Sequence, residues 1–158
     1  MIQLVRIDDR LLHGQVAYSW KGSLGYNAII IASDSAAKDE FRIAAMKMAK
    51  PDGVRLAIRS VEDAVKLLNN PKIAEYKSFV VTDTIAGADY ILRHVDEKTK
   101  VLNIGGLQAA SGKTEITAFA YATDAEREVL KKLQKDGYEV EFRLVASDSA
   151  KKLSDLVK

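Results

Sequence analysis

The 158-residue sequence contains no cysteine, which excludes disulfides and thiolate metal sites and fits a cytoplasmic setting. No apolar run approaches 18 residues, and no basic flank followed by an apolar leader opens the chain. The expectation is a protein that neither spans a membrane nor is exported by that route. Charge of one sign is also missing. The formal net charge is +2 and no five like charges run together, so nothing argues for nucleic acid. Histidine is scarce, at two residues, and without H-x-x-x-H spacing no metal site is expected. Neither G-x-G-x-x-G nor G-x-S-x-G occurs. There is no internal repeat, low-complexity tract or linker composition, so residues 1–158 read as a single domain.

What is present is an ordinary globular balance, 47% hydrophobic and 29% charged. Short Val/Ile-rich runs alternate with segments of helical period. Strands are expected near Ile2–Ile7, Ala28–Ala32, Val54–Ile58, Phe79–Val81, Val101–Ile104, Ile116–Ala122 and Tyr138–Ala146. Their lack of clean polar alternation suits strands covered on both faces. Between them, Ser60-Val-Glu-Asp63 and Thr123-Asp-Ala-Glu126 resemble capping boxes, and Lys38–Lys50 reads as a helix ended by Pro51. Asn69-Asn70-Pro71 closes the helix after Ser60, and Gly137 closes the one after Thr123. The order predicts an α/β fold: an open, mostly parallel, doubly wound sheet of about seven strands with helices on both faces. Gly105–Glu115 lacks helical period and interrupts that rhythm.

In such a sheet, ligands bind beyond the carboxyl ends of the strands. Asp8-Asp9-Arg10-Leu11-Leu12-His13-Gly14 follows the first strand, and Asp34, Asp83 and Gly105 follow others. His13 falls in a strand-to-helix turn whose N–H groups favour an anion. Arg10 adds donors suited to phosphate oxygens, and the Leu11–Gly14 backbone adds more. Gly14 leaves room for a tetrahedral group. Asp8 or Asp9 is placed to fix the ring tautomer, freeing one nitrogen to attack phosphorus. The same residues also suit a plain loop staple, in which His13 bonds an aspartate and does nothing more. His94, in the last turn of a helix over Ala86–Val95, reads as a cation on the helix dipole. Gly106 to Thr114 imitates a P-loop, but Leu107 stands where the first glycine is required and a β-rich run follows. Tyr18 and Trp20 are candidates for a partner surface around His13.

The stretch Arg6-Ile-Asp-Asp-Arg-Leu-Leu-His-Gly-Gln-Val16, followed by Trp20, closely resembles the active-site segment of the IIB component of the mannose/fructose/sorbose family of sugar phosphotransferase systems (PTS). Ala37-Lys-Asp-Glu40, Met48-Ala-Lys-Pro51, Asn103-Ile-Gly-Gly106 and Asp136-Gly-Tyr-Glu-Val140 extend the likeness along the chain. Two departures are visible: Leu12 where isoleucine is commoner, and Ala146 in place of a proline. The resemblance implies a cytoplasmic phosphocarrier, held near the inner membrane face through membrane components IIC and IID. His13 would take phosphate on Nδ1 from a IIA protein or domain and pass it to a sugar bound by IIC/IID, with Arg10 as phosphate partner. No metal or nucleotide cofactor is implied. A regulatory or binding module on the same fold, signalling through phosphorylation of His13, is the alternative.

Overall fold

The computed structural model describes residues 1–156. Strand β1 (Ile2–Asp8) leads through helix α1 (Gly14–Leu24) to β2 (Ala28–Ala32), α2 (Glu40–Ala49) and β3 (Arg55–Arg59). Helix α3 (Val61–Leu68), β4 (Ser78–Thr82), α4 (Ile85–His94) and β5 (Val101–Gly106) continue the alternation. A hairpin of β6 (Thr114–Thr117) and β7 (Ala120–Ala122) then precedes α5 (Asp124–Lys135), β8 (Glu139–Phe142), β9 (Lys151–Lys152) and the short α6 (Leu153–Leu156). Seven strands form one sheet in the order β3-β2-β4-β1-β5-β8-β9, parallel except for β9.

The apolar runs predict this burial. All five residues of β2 and all five of β4 are buried because helices lie on both sides of them. On one side, Val16, Ala17 and Trp20 of α1 and Met46 of α2 pack against Leu4, Ile29, Ile31 and Phe79. On the other, Ala64 and Val65 of α3, Ile91 of α4 and Leu130 of α5 pack against Val5, Ile30, Val80 and Leu102. The doubly wound sheet with helices on both faces is therefore what forms. Local signals also hold. Thr123 and Glu126 make a reciprocal capping box, and Gly137 ends α5 at φ 102°. Ser60 accepts the Asp63 N–H at 3.2 Å.

Three elements differ from expectation. Ile116–Ala122 is not one strand but holds the end of β6, a turn and all of β7 in an antiparallel hairpin. The hairpin is held against the end of β5 by Leu107 N–H to Phe119 C=O (3.0 Å) and Tyr121 N–H to Leu107 C=O (2.9 Å). The seventh strand of the sheet is instead β9, two exposed lysines whose strand character comes only from pairing with Glu141 and Phe142. Tyr138–Ala146 is too long, because β8 stops at Phe142 and a turn follows, with Val145 N–H donating to the Asp148 carboxylate (3.2 Å). Lys38–Lys50 is broken at Asp39, whose carboxylate caps α2 by accepting the N–H groups of Phe41 and Arg42. A separate 3₁₀ turn covers Ala36–Lys38.

Candidate functional site

Along β1, alternate residues point to the same face, so Arg6 and Asp8 project together toward the α1 side. Both are buried, at 1% and 0% side-chain exposure. Two charges in a strand interior require partners, and the partners define the site. The Arg6 guanidinium donates through Nη1 to Asn103 Oδ1 (2.6 Å) and the Arg143 carbonyl (2.9 Å). Through Nη2 it donates to the Leu144 carbonyl (2.8 Å) and Asp8 Oδ2 (3.3 Å). Arg6, Asn103 and Glu141 are register neighbours on β1, β5 and β8, and Glu141 closes the row by accepting from Asn103 (3.2 Å) and Arg143 (2.8 Å). The guanidiniums of Arg6 and Arg143 lie 5.3 and 5.0 Å from the Trp20 ring centroid, within cation–π range.

Gly105 makes this row possible. The β1/β5 register shifts between Ile7 and Asp8, and Gly105 is the residue passed over. A Cβ built there would lie 1.9 Å from Arg6 Cζ, an impossible contact, so the missing side chain is the seat of the guanidinium. Gly105 is thus buried beneath the site, not on its rim.

Asp8 connects the buried row to the surface. Its Oδ1 accepts from the Arg10 N–H (3.1 Å) and Arg10 Nε (3.4 Å), while Oδ2, already facing Arg6, lies 3.5 Å from His13 Nε2. Burial on its own pushes the Asp8 carboxyl up. The hydrogen bond with His13, the charge of Arg6 and the contacts with Arg10 outweigh it and hold the group below its ordinary 3.8. An ionised carboxylate only accepts, so the ring nitrogen facing it carries the hydrogen. The neutral tautomer that fits this contact is the one with hydrogen on Nε2, which places the lone pair on Nδ1. Burial lowers the Arg6 guanidinium from its usual range, with Asp8 opposing the shift, and arginine stays charged in any case.

The turn carrying His13 is bent by Leu11, at φ 59° a side chain in the left-handed region, where it is disfavoured by ~1–2 kcal/mol. Complete burial of that leucine holds it there. The Leu11 N–H is used inside the turn, donating to the Asp8 carbonyl at 2.9 Å, so Leu11 supplies shape where a donor was expected. Among the described residues, the N–H groups of Leu12, His13 and Gly14 have no protein acceptor. They open the N-terminus of α1, where His13 is the N-cap residue and makes no side-chain cap bond. The position of a Cβ on Gly14 is open space. The Arg10 side chain is 43% exposed, and its two terminal nitrogens have no protein partner among the described residues. The arrangement can hold a tetrahedral anion between the Arg10 guanidinium, free N–H groups and a ring nitrogen that bears a lone pair in the Nε2–H tautomer.

The remaining residues named from the sequence sort differently. Asp9 accepts the Gln108 N–H at 2.7 Å and anchors that loop, so it does not orient His13. Asp34 accepts the Val61 N–H (2.9 Å) at the start of α3, and Asp83 accepts from Ser33 (2.8 Å). Neither reaches His13. Gly112 to Thr114 leads into a strand, which a P-loop cannot do. Trp20 is buried and Tyr18 is exposed, leaving only Tyr18 for a surface role. His94 ends α4, with Nδ1 2.8 Å from the Tyr90 carbonyl. Sequence reasoning missed the roles of Arg6, Asn103, Glu141 and Arg143. The available signal was an arginine and an aspartate two residues apart in an apolar strand.

The sequence profile of the PTS system sorbose subfamily IIB component matches residues 2–158. A probable phosphotransferase enzyme IIB component of Streptococcus pyogenes serotype M6 is 36% identical over 137 residues, 84% of each chain. The mannose-specific EIIAB component of Escherichia coli K12 is 32% identical over 157 residues, 99% of this chain, which spans only 48% of that relative. Among solved structures, the IIB domain of the sorbose permease of Klebsiella pneumoniae superposes with a TM-score of 0.93 at 30% identity, covering 99% of this chain and 96% of that one. The fold, the buried Arg6–Asp8 pair beneath His13 and these likenesses lead to one conclusion: the chain belongs to the sorbose subfamily of PTS IIB components, phosphotransferases that carry phosphoryl groups in sugar uptake.

Proposed function

We propose that His13 is the residue that carries the phosphoryl group, on Nδ1, and that the chain acts as one IIB domain. The observation that carries the reading is the shared carboxylate of Asp8, which faces His13 Nε2 with one oxygen and Arg10 with the other. The Nδ1 lone pair attacks the phosphorus of a phosphohistidine on the partner IIA protein or domain. A nitrogen–phosphorus bond forms at His13 as the donor's breaks, its electron pair returning to the donor ring. Arg10 and the N–H groups of Leu12, His13 and Gly14 stabilise the charge on the three transferring oxygens. Asp8, held ionised by Arg6, stabilises the imidazolium-like ring that results. Attack by a sugar hydroxyl then reverses the chemistry, restoring the lone pair to Nδ1 and releasing a proton. The sugar is held by the membrane components IIC and IID, at whose cytoplasmic face the chain works. Among the described residues no helix is long and apolar enough to cross a membrane.

The test is incubation with enzyme I, HPr, a cognate IIA and phosphoenolpyruvate, which yields an acid-labile, base-stable phosphoprotein. Labelling of His13→Ala under the same conditions refutes the assignment. Transfer onward to sugar in IIC/IID membranes separates a carrier from a module that is only marked by phosphorylation.

A further inference from the structure

Strand β3 is one of the two edges of the sheet, with β9 at the other. Its Arg55 N–H donates to the Asn27 carbonyl (3.0 Å), and its Arg59 carbonyl accepts from the Ser33 N–H (2.9 Å). In a parallel ladder the bonded residues alternate, so 55, 57 and 59 face β2 while Leu56 and Ile58 turn their main-chain groups outward. The Ile58 carbonyl is occupied by the guanidinium of Arg59 (2.9 Å). The N–H and C=O of Leu56 and the N–H of Ile58 remain open. Beside this edge runs a groove of about 540 Å³ whose apolar lining includes Ile30, Leu56, Ala57, Leu67 and Ile73. Lys47, Lys50, Arg55 and Arg59 also line it, no carboxylate does, and none of the four forms an ion pair among the described residues.

We infer that this edge takes an extended acidic segment of a partner protein by strand addition. The groove supplies apolar contact, the edge supplies directed hydrogen bonds, and the cations supply charge selection. Arg55, Ala57 and Arg59 share one face of β3 by strand alternation, so the added strand carries acid, apolar and acid side chains at alternate positions opposite them. A second copy of this chain fits poorly, since antiparallel β3–β3 pairing sets Arg55 against Arg59. A free strand edge also favours a peptide over a lipid surface, which has no ladder to extend.

The probe is the capped heptapeptide T-E-T-V-T-E-T, titrated into isotopically labelled full-length protein, with T-K-T-V-T-K-T as control. The expected result is chemical-shift change and slowed amide exchange at Leu56 and Ile58, with the glutamate peptide binding about tenfold more tightly than the lysine peptide. Reversing both cations, Arg55→Glu with Arg59→Glu, inverts that preference and leaves the His13 region unperturbed, as expected for two exposed side chains. Three results overturn the inference: no response at Leu56 and Ile58 at millimolar peptide, equal binding of the two peptides, or binding of phosphatidylglycerol vesicles that depends on Arg55 and Arg59 while the peptide is ignored. Because the readout does not involve phosphate, its failure is independent of the role of His13.

Discussion

Replacing Asp8 by asparagine keeps the shape of the side chain and removes the one carboxylate shared by Arg6, Arg10 and His13. Two consequences follow from the geometry. Arg6 is 1% exposed and loses its counter-charge, and breaking a buried ion pair costs ~3–5 kcal/mol. Arg6 keeps the Asn103 amide oxygen and the carbonyls of Arg143 and Leu144, so the expected loss lies near ~3 kcal/mol. With a urea slope of ~1–3 kcal/mol per molar, the unfolding midpoint falls by about 1–3 M. The catalytic consequence is larger. A carboxylate that fixes an imidazole tautomer is worth up to ~10⁴ in rate, and an amide still accepts from Nε2–H in one of its orientations, so single-turnover phosphoryl transfer should drop by ~10². Nitrogen-15 shifts of the His13 ring should show the Nε2–H tautomer losing its dominance. Asp9→Asn is the control, because its carboxylate holds Gln108 and not the ring. Unchanged transfer and an unchanged tautomer in Asp8→Asn, or equal losses in Asp9→Asn, would refute the reasoning. The pH dependence has a definite sign. The folded-state value of Asp8 is depressed, so its stabilisation is present above the ordinary 3.8 and is lost as pH falls through the lower folded value. The stability gap between wild type and Asp8→Asn should be full above about pH 5 and should close on acidification.

Gly105→Ala drives a methyl into the Arg6 guanidinium and should destabilise by several kcal/mol, ~1–3 for overpacking and more if Arg6 loses its partners. Thermal or urea unfolding checks it, and a wild-type midpoint would mean that Arg6 is not seated there. Arg10→Ala should slow transfer by ~10²–10³ with the unfolding midpoint nearly unchanged, since the side chain is exposed and its contact to Asp8 is long. Equal single-turnover rates would remove Arg10 from the phosphate site. Asp83→Ala should lower stability by about 1 kcal/mol through the lost Ser33 hydrogen bond and leave transfer intact; a transfer defect would bring Asp83 into the site.

Some of this was legible in residue order alone. Apolar runs three to nine long, helix caps such as Thr123 with Glu126, and the alternation of strand and helix predict a doubly wound parallel sheet, because each is a short-range or periodic property of the chain. The position of His13 beyond the first strand follows from that topology, and its chemistry is local to seven residues. The choice between Asp8 and Asp9 was not local. Alternation along β1 puts Asp8 on the face of Arg6, and the loop at Gln108 takes Asp9, so the answer depends on what lies across the sheet. Gly105 reads as a rim glycine until β5 is laid beside β1 and the guanidinium is found where its Cβ would be. Strand β9, two lysines, has no strand signal of its own and exists because β8 offers an edge. The sequence by itself determined which groups are available for phosphoryl transfer. Only the tertiary structure decided which of them share a charge, because burial and cross-strand pairing act between residues up to 138 positions apart in the chain.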